Sequence, residues 1–437
     1  MRKFYVFLVV FFIAFVVVSP FDSAAQQRAG HKTRHVPRQT EILFFVPEDI
    51  VYNDIADVLK RPEEKHFQDA RAPRFLLIDQ KEKFALGIGG FVRLVNGMEF
   101  KGIIDTETDE GFQPALIPVP NGDNPRSQYR LSASTSQFFV KMVGRTKRLG
   151  DFSVYLSTNF EGTNYTPQLR QAYIQFCGFT FGQAWSTIAD LSSLPPTIDY
   201  ASPNGFAGIL NPMIRYSRSF LKERMKFAIA TEFPSLNGTF NAQTRHIAQS
   251  VPDIIGYLQF NWGKGTSHVR VTGILRNLAY RNLDKEKSEM SQGWGAQVSG
   301  LWTVHHKLSF YYQFIYGKGI ATYLNDLSNL NSDLVPNPEK PGYLQALPMW
   351  GGYAGVQYNF TKDVFASVTY SQSRMYSDRG YAPSGLYKYG QYLVTNVFWN
   401  VTENCQLAME YLHGRKVVHG GESGKANRIN LMVQYNF

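Results

Sequence analysis

Residues 426–437 read ANRINLMVQYNF, and the sequence stops on an aromatic, Phe437. From Ile429 onward every second residue is apolar or aromatic: Ile429, Leu431, Val433, Tyr435 and Phe437. Arg428, Asn430, Gln434 and Asn436 between them are polar, with Met432 the one exception. A strict period of two describes a strand with one apolar and one wet face. Such a strand suits an antiparallel sheet over a soluble core. It suits equally a barrel strand with lipid outside and water inside.

The rest of the sequence decides between them. Period-two segments recur from residue 84 to the end: 84–99, 130–146, 150–162, 169–177, 179–188, 213–218, 223–233, 253–263, 267–281, 291–304, 307–320, 349–360, 363–376, 387–400, 403–416 and 426–437. Sixteen is an even number, as in the single-chain barrels of bacterial outer membranes. Short connections such as RLG, Cys177-Gly178, FLKE, KGTS, VHH, NFTKD and NVTEN alternate with long ones, including 100–129, 189–212, 234–252, 321–348, 377–386 and 417–425. Tight turns on one side and long loops on the other are the pattern of an outer-membrane barrel, and a soluble sandwich has no reason to sort its loops so. The faces agree: in KLSFYYQFIY, Leu308, Phe310, Tyr312, Phe314 and Tyr316 oppose Ser309, Tyr311 and Gln313. Trp302, Tyr316, Tyr358 and Trp399 stand near strand ends, where interfacial girdles form. The expected fold is all-β, a 16-stranded antiparallel transmembrane barrel. Its last strand closes on its first, leaving no unpaired edge in lipid.

Composition is consistent with this. Charged residues are 18% and aromatics 15%, and the formal net charge is +10. The one long apolar run, FYVFLVVFFIAFVVV, follows Arg2 and Lys3 and precedes small residues at Ser23 and Ala25. This reads as a signal peptide over 1–25, and together with the barrel pattern it points to a bacterial outer membrane. Residues 26–80 are expected to be a periplasmic N-terminal extension, basic at first, with room for one short helix before Pro62. The barrel then spans 81–437. Cys177 and Cys405 fall on strands far apart around any closed sheet, so no disulfide is expected.

With the lipid face fixed, parity directs Arg93, Arg130, Arg170, Arg215, Lys226, Arg270, Arg276 and Arg428 into the lumen, against fewer inward acids, chiefly Glu161, Glu232 and Glu410. A low-dielectric wall around a narrow water path focuses such a field and concentrates anions. Rings of Arg or Lys are the usual device of anion pores. The proline-bearing stretch 187–212 is the third outer loop. Folded inward it narrows the pore and sets Asp190 and Asp199 opposite arginines. No G-x-S-x-G, H-E-x-x-H or G-x-x-x-x-G-K-[ST] occurs, and no Cys or His pair has metal-ligand spacing. Neither catalysis nor a cofactor is therefore expected. The basic residues follow barrel parity instead of forming a run, which argues against nucleic acid.

The segments YRLSASTSQFFVKM, LRQAYIQF, FTFGQAWSTIADLSSLPPTIDYASPNG and PMIRYSRSF resemble those of the DcaP-like trimeric outer-membrane porins. The likeness is clearest over 84–220. It implies a homotrimer, an inward third loop and passage of small anions, dicarboxylates in particular, past eyelet residues Arg130, Arg170 and Arg215. The terminal Phe437 resembles the signal by which the barrel assembly machinery recognises its substrates. Two departures stand out: residues 26–80 lack the heptad repeat of an N-terminal coiled coil, and Ser134 stands where a basic residue is common. The alternative is a transporter of hydrophobic or aromatic compounds with the N-terminal segment as a hatch. That class calls for an apolar interior pocket, whereas the inward positions read mostly Arg, Ser, Gln and Asn.

Overall fold

The computed structural model describes residues 84–101, 103, 111–119, 127–148 and 150–437, with the short segments 44–46, 73 and 75–78. The expected signal peptide and most of the expected extension lie outside the described residues. Sixteen antiparallel strands close into a barrel. They are β1 (Phe84–Phe100), β2 (Gln128–Ser132, resumed as Gln137–Thr146), β3 (Gly150–Asn159), β4 (Gln168–Phe176), β5 (Phe179–Trp185), β6 (Leu210–Phe220), β7 (Met225–Glu232) and β8 (Asp253–Trp262). The second half comprises β9 (Ser267–Asn282), β10 (Lys287–His305), β11 (Leu308–Lys318), β12 (Pro348–Asn359), β13 (Val364–Met375), β14 (Tyr387–Asn400), β15 (Cys405–Val418) and β16 (Ser423–Asn436). Each strand pairs with the next, and β16 returns to β1 from Asn427↔Phe100 to Asn436↔Phe91. Phe437 and Gly90 then exchange two backbone hydrogen bonds at 3.0 Å.

Several strands run further than their hydrophobic pattern. β10 begins at Lys287 instead of 291, β16 at Ser423 instead of 426, and β6 at Leu210 instead of 213. Backbone pairing continues past the lipid boundary, where side chains no longer have to alternate. The turns are as short as expected. Cys177 and Gly178, with φ of 50° and 82°, form a two-residue turn whose positive φ values match the twist of its strands. No disulfide joins Cys177 and Cys405.

The outward residues of β16 are half-exposed, Leu431 at 49% and Tyr435 at 52%. Trp302, Tyr358 and Trp399 ring the short-turn end, and Trp294 and Tyr316 meet edge to face nearer the long-loop end. The seam between β16 and β1 has an addition. Beyond Phe437 the β1 edge is taken by Phe75–Ile78, in register from Phe75↔Ile88 to Ile78↔Ala85, and Phe44–Val46 pairs with that segment in turn. Phe75 is exposed and Leu76 fully buried, so the segment continues the parity of β16.

Much of the lumen is packed. One apolar cluster joins wall residues Ile255, Ile274, Ile315, Met349 and Met375 to Ile188 and Ala207 of the third outer loop, Tyr323, Leu324 and Leu327 of the sixth, and Ala115 of the first. The interior is therefore more apolar than the sequence pattern suggests. That apolar surface is covered by loops and forms a core.

Candidate functional site

The third loop, 186–209, is tied to the inner wall along its length. Its Thr187 amide donates to Glu232 of β7 at 2.7 Å. The amides of Ile198 and Asp199 donate to Glu410 of β15 at 2.7 and 2.8 Å. Carboxylates accepting backbone N–H groups make strong, charge-assisted bonds. Side chains on the wall complete the attachment: Gln297 donates to the Ile188 carbonyl, Gln313 to Gly205 and Asn396 to Pro196, at 2.9, 3.0 and 2.8 Å.

Asp190 and Asp199 both lie in this loop and are buried. Asp190 meets His268 at 2.9 Å, Ser299 at 2.6 Å and Arg270 at 3.7 Å. Burial works against its charge, but Arg270 and His268 outweigh it and hold the carboxyl well below the usual range. Arg270 also donates to Gln259 at 2.8 Å and the Ala189 carbonyl at 3.0 Å, and it stacks on Tyr257. The pair lies within the loop–wall contact, away from the open path. Asp199 accepts from the Phe112 amide and the Tyr392 hydroxyl, each at 2.8 Å. Burial, followed by the neighbouring Glu410 carboxylate, pushes its pKa up to about 8.

The sixth loop supplies two more anchors. Asp333 meets Arg276 of β9 at 2.9 Å, and the same guanidinium reaches Asp253 at 3.0 Å. Asp326 accepts from Ala115 of the first loop at 2.8 Å and Asn204 of the third at 3.1 Å. It accepts as well from Ser373 of β13 at 3.1 Å and Tyr387 of β14 at 2.5 Å. One carboxylate thus joins three loops to the wall. Arg428 is held by Glu99 and stacks on Phe112 of the first loop.

The remaining path runs along β2–β7, where the long basic side chains are partly exposed although shorter inward neighbours such as Ser157, Thr180 and Ala230 are buried. Arg130, Arg170, Arg215 and Lys226 are all half-buried there. Arg170 is the residue of a bulge: Ser157 pairs with Gln171 and Thr158 with Leu169, so Arg170 has no ladder position. A bulge re-aims its side chain, and this one lies over the rings of Tyr200 and Trp185 at 4.9 and 5.8 Å, with Glu161 at 3.7 Å. Arg215 donates to the Trp185 carbonyl at 3.2 Å. Arg93 is buried on β1, donating to Gln434 at 2.8 Å over the Phe91 ring. The eight residues expected at the site therefore divide. Arg130, Arg170, Arg215 and Lys226 face the open arc, whereas Arg93, Arg270, Asp190 and Asp199 are buried in the packing around it.

Sequence reasoning missed an aromatic ladder on the same arc. Phe139, Tyr155 and Tyr173, inward on β2, β3 and β4, stack with centroids 5.6 and 5.3 Å apart. The available signal was an aromatic recurring on the wet face of three consecutive strands. It also missed Asp326, Asp333 and Tyr200, whose roles depend on loop paths. Among the described residues no group of three or more His, Cys, Asp or Glu could hold a metal.

A closed sixteen-stranded barrel with a lipid-facing apolar band, an inward third loop and a charged open arc defines an outer-membrane channel of the porin type. The comparisons carry this to a family. Residues 79–437 match the model of the DcaP outer membrane protein, and the chain belongs to that family. The outer membrane channel DcaP of Acinetobacter baumannii superposes with a TM-score of 0.70 at 18% identity, covering 82% of this chain and 99% of that one. An anion-selective porin from Comamonas acidovorans follows with a TM-score of 0.54 at 9% identity, covering 81% and 100%. OmpT of Vibrio cholerae in its trimer form gives 0.51 at 10% identity, covering 81% and 100%. These low identities speak for the fold alone. No curated protein sequence matches the chain.

Proposed function

We propose that this porin passes small hydrophilic solutes by passive diffusion, prefers anions, and favours dicarboxylates among them. The carrying observation is an asymmetry of burial. Glu99, Asp190, Asp199, Glu232, Asp253, Asp326, Asp333 and Glu410 are all buried and turned to loop amides, hydroxyls and buried arginines, while Glu161, half-buried beside Arg170, stays on the path. Arg130, Arg170, Arg215 and Lys226 stay within reach of the water path. The field along that path is positive, and guanidinium groups can grip each end of a dicarboxylate with paired hydrogen bonds. No step of bond making is assigned to the site.

The anion-selective porin from Comamonas acidovorans and the trimer form of OmpT give precedent for this preference and for a homotrimer on the same fold. Residues 1–25 serve in this reading as the export signal, 26–80 as a mainly periplasmic extension and 81–437 as the channel, with Phe437 presented to the assembly machinery. The test is a planar bilayer under a salt gradient. A sizeable conductance with chloride preferred is expected, with the preference reduced when Arg130, Arg170 and Arg215 are changed to Gln. Cation preference, or a reversal potential indifferent to those changes, overturns the reading. Silence in the bilayer overturns the open channel itself.

A further inference from the structure

We propose that the stacked rings of Phe139, Tyr155 and Tyr173 end in an empty rung that binds planar aromatic carboxylates as they pass along the lumen. The site rests on the anion reading above and adds to it a preference set by the solute's ring. The centroid spacings of 5.6 and 5.3 Å are close to the ~4.8 Å between neighbouring strands, and the ring planes are only 25° and 23° apart. The rings therefore stand on the wall and turn their faces to one another along it. The cross-strand row through the two tyrosines runs Lys141, Tyr155, Tyr173, Gly182 and Met213. Partners in a row share a face, so the place next to Tyr173 belongs to a residue with no side chain.

The backbone keeps that place empty. Gly182 has a φ of 130°, which glycine alone adopts without strain, and a Cβ there would clash with the Ala172 carbonyl and stand 2.8 Å from the Tyr173 Cα. Glycine inside a strand marks a spot where a ligand or another backbone comes close. Tyr155, Tyr173 and Gly182 are all partly exposed, whereas Lys141 and Met213 at the two ends of the row are buried. The open part of the row therefore lies at the tyrosines and the glycine, on the arc that carries the water path. Arginines stand on both sides of it. Arg170 precedes Tyr173 by three residues on β4, toward the long loops. Arg215 pairs with Thr180, two residues from Gly182 toward the short turns, and donates to the Trp185 carbonyl at 3.2 Å on the other side of that glycine. A flat ring laid on Tyr173 as the next rung keeps its carboxylate within reach of a guanidinium, which binds it through paired hydrogen bonds.

Benzoate and cyclohexanecarboxylate carry the same charge and are nearly the same size, but only benzoate is flat. The full-length protein in a planar bilayer at pH 7 should be titrated with each, and the concentration that halves the chloride current read for wild type, Y155L/Y173L and Y155F/Y173F. Expected in the wild type is a half-blocking concentration about tenfold lower for benzoate, a difference of roughly 1.4 kcal/mol. The Phe variant should keep that preference and the Leu variant lose it, with unheated gel mobility confirming that both barrels are folded. Equal block by the two acids overturns the site. A merely apolar wall favours the more hydrophobic cyclohexanecarboxylate and is indifferent to the change to Leu, and either of those results overturns it as well. Failure of the underlying anion reading looks different: the wild type then shows no chloride preference under a salt gradient, and the site falls with that reading.

Discussion

Replacing Asp326 with alanine should unfasten the lumen without opening the barrel. Four donors converge on this carboxylate: the Ala115 amide, the Asn204 side chain, and the hydroxyls of Ser373 and Tyr387. Each buried donor left without an acceptor costs about 1–3 kcal/mol. Even if water enters and satisfies half of them, roughly 4 kcal/mol of loop docking is lost. At 1.4 kcal/mol per decade, that shifts the docked-to-undocked ratio of the loops by about a thousandfold. The first loop should loosen soonest, because Ala115 is held otherwise by Lys416, which donates to its carbonyl at 2.7 Å. The strand ladder is untouched, so heat-modifiable migration should persist. Single-channel recordings should show larger and noisier conductance, with Asp326→Asn intermediate because its amide oxygen keeps one acceptor. Traces of D326A indistinguishable from wild type, in a folded barrel, would refute the idea that this carboxylate sets the constriction.

Three further outcomes are expected. With Cys177 and Cys405 changed to Ser, L77C/L86C should cross-link spontaneously in the outer membrane, because Leu77 and Leu86 are cross-strand partners; a non-reducing gel reads the bond, and its absence would detach Phe75–Ile78 from the seam. Arg276→Met leaves Asp253 and Asp333 facing each other without their cation, and should destabilise by about 3–5 kcal/mol, read as a lower unfolding temperature on unheated-versus-heated gels. The Asp199 carboxyl is protonated in the fold up to about pH 8 but ionises near 3.9 when unfolded. Its contribution is therefore fully present in acid and is lost as pH rises through that window. Stability should fall from pH 5 to pH 9, and D199N should flatten that dependence; parallel curves for the two proteins would count against it.

The barrel was legible because lipid imposes a rule on every strand. Any outward residue between the girdles must be apolar, so the period of two survives through sixteen strands and fixes their number. Above the membrane that rule lapses, which is why Ser423–Ala426 and Lys287–Met290 pair without announcing themselves. The lumen is harder to read because parity states a direction and says nothing of what covers the side chain. Arg270 and Arg215 look alike in sequence, each an inward arginine between small or apolar neighbours. Arg270 is sealed against Asp190 by a loop that starts far upstream, whereas Arg215 is left beside water. The bulge at Arg170 is equally silent, since LRQAY alternates no differently from its neighbours.

The same distinction decides the electrostatics. Counting inward residues sets several basic groups against a few acids and suggests a modest excess of positive charge. Loop packing removes both signs from the count, though unequally. A carboxylate satisfies several backbone N–H donors at once and is the natural anchor for a folded-in loop, so the acids are drawn into the packing. Of the long basic side chains on β2–β7, Arg170 lies against Tyr200 of the third loop and beside Glu161, while Arg130, Arg215 and Lys226 stay partly exposed. A channel that fastens its loops with carboxylates thus leaves an uncovered wall that is positive by default. The proposed anion preference then rests on how the lumen is filled as much as on which residues face it.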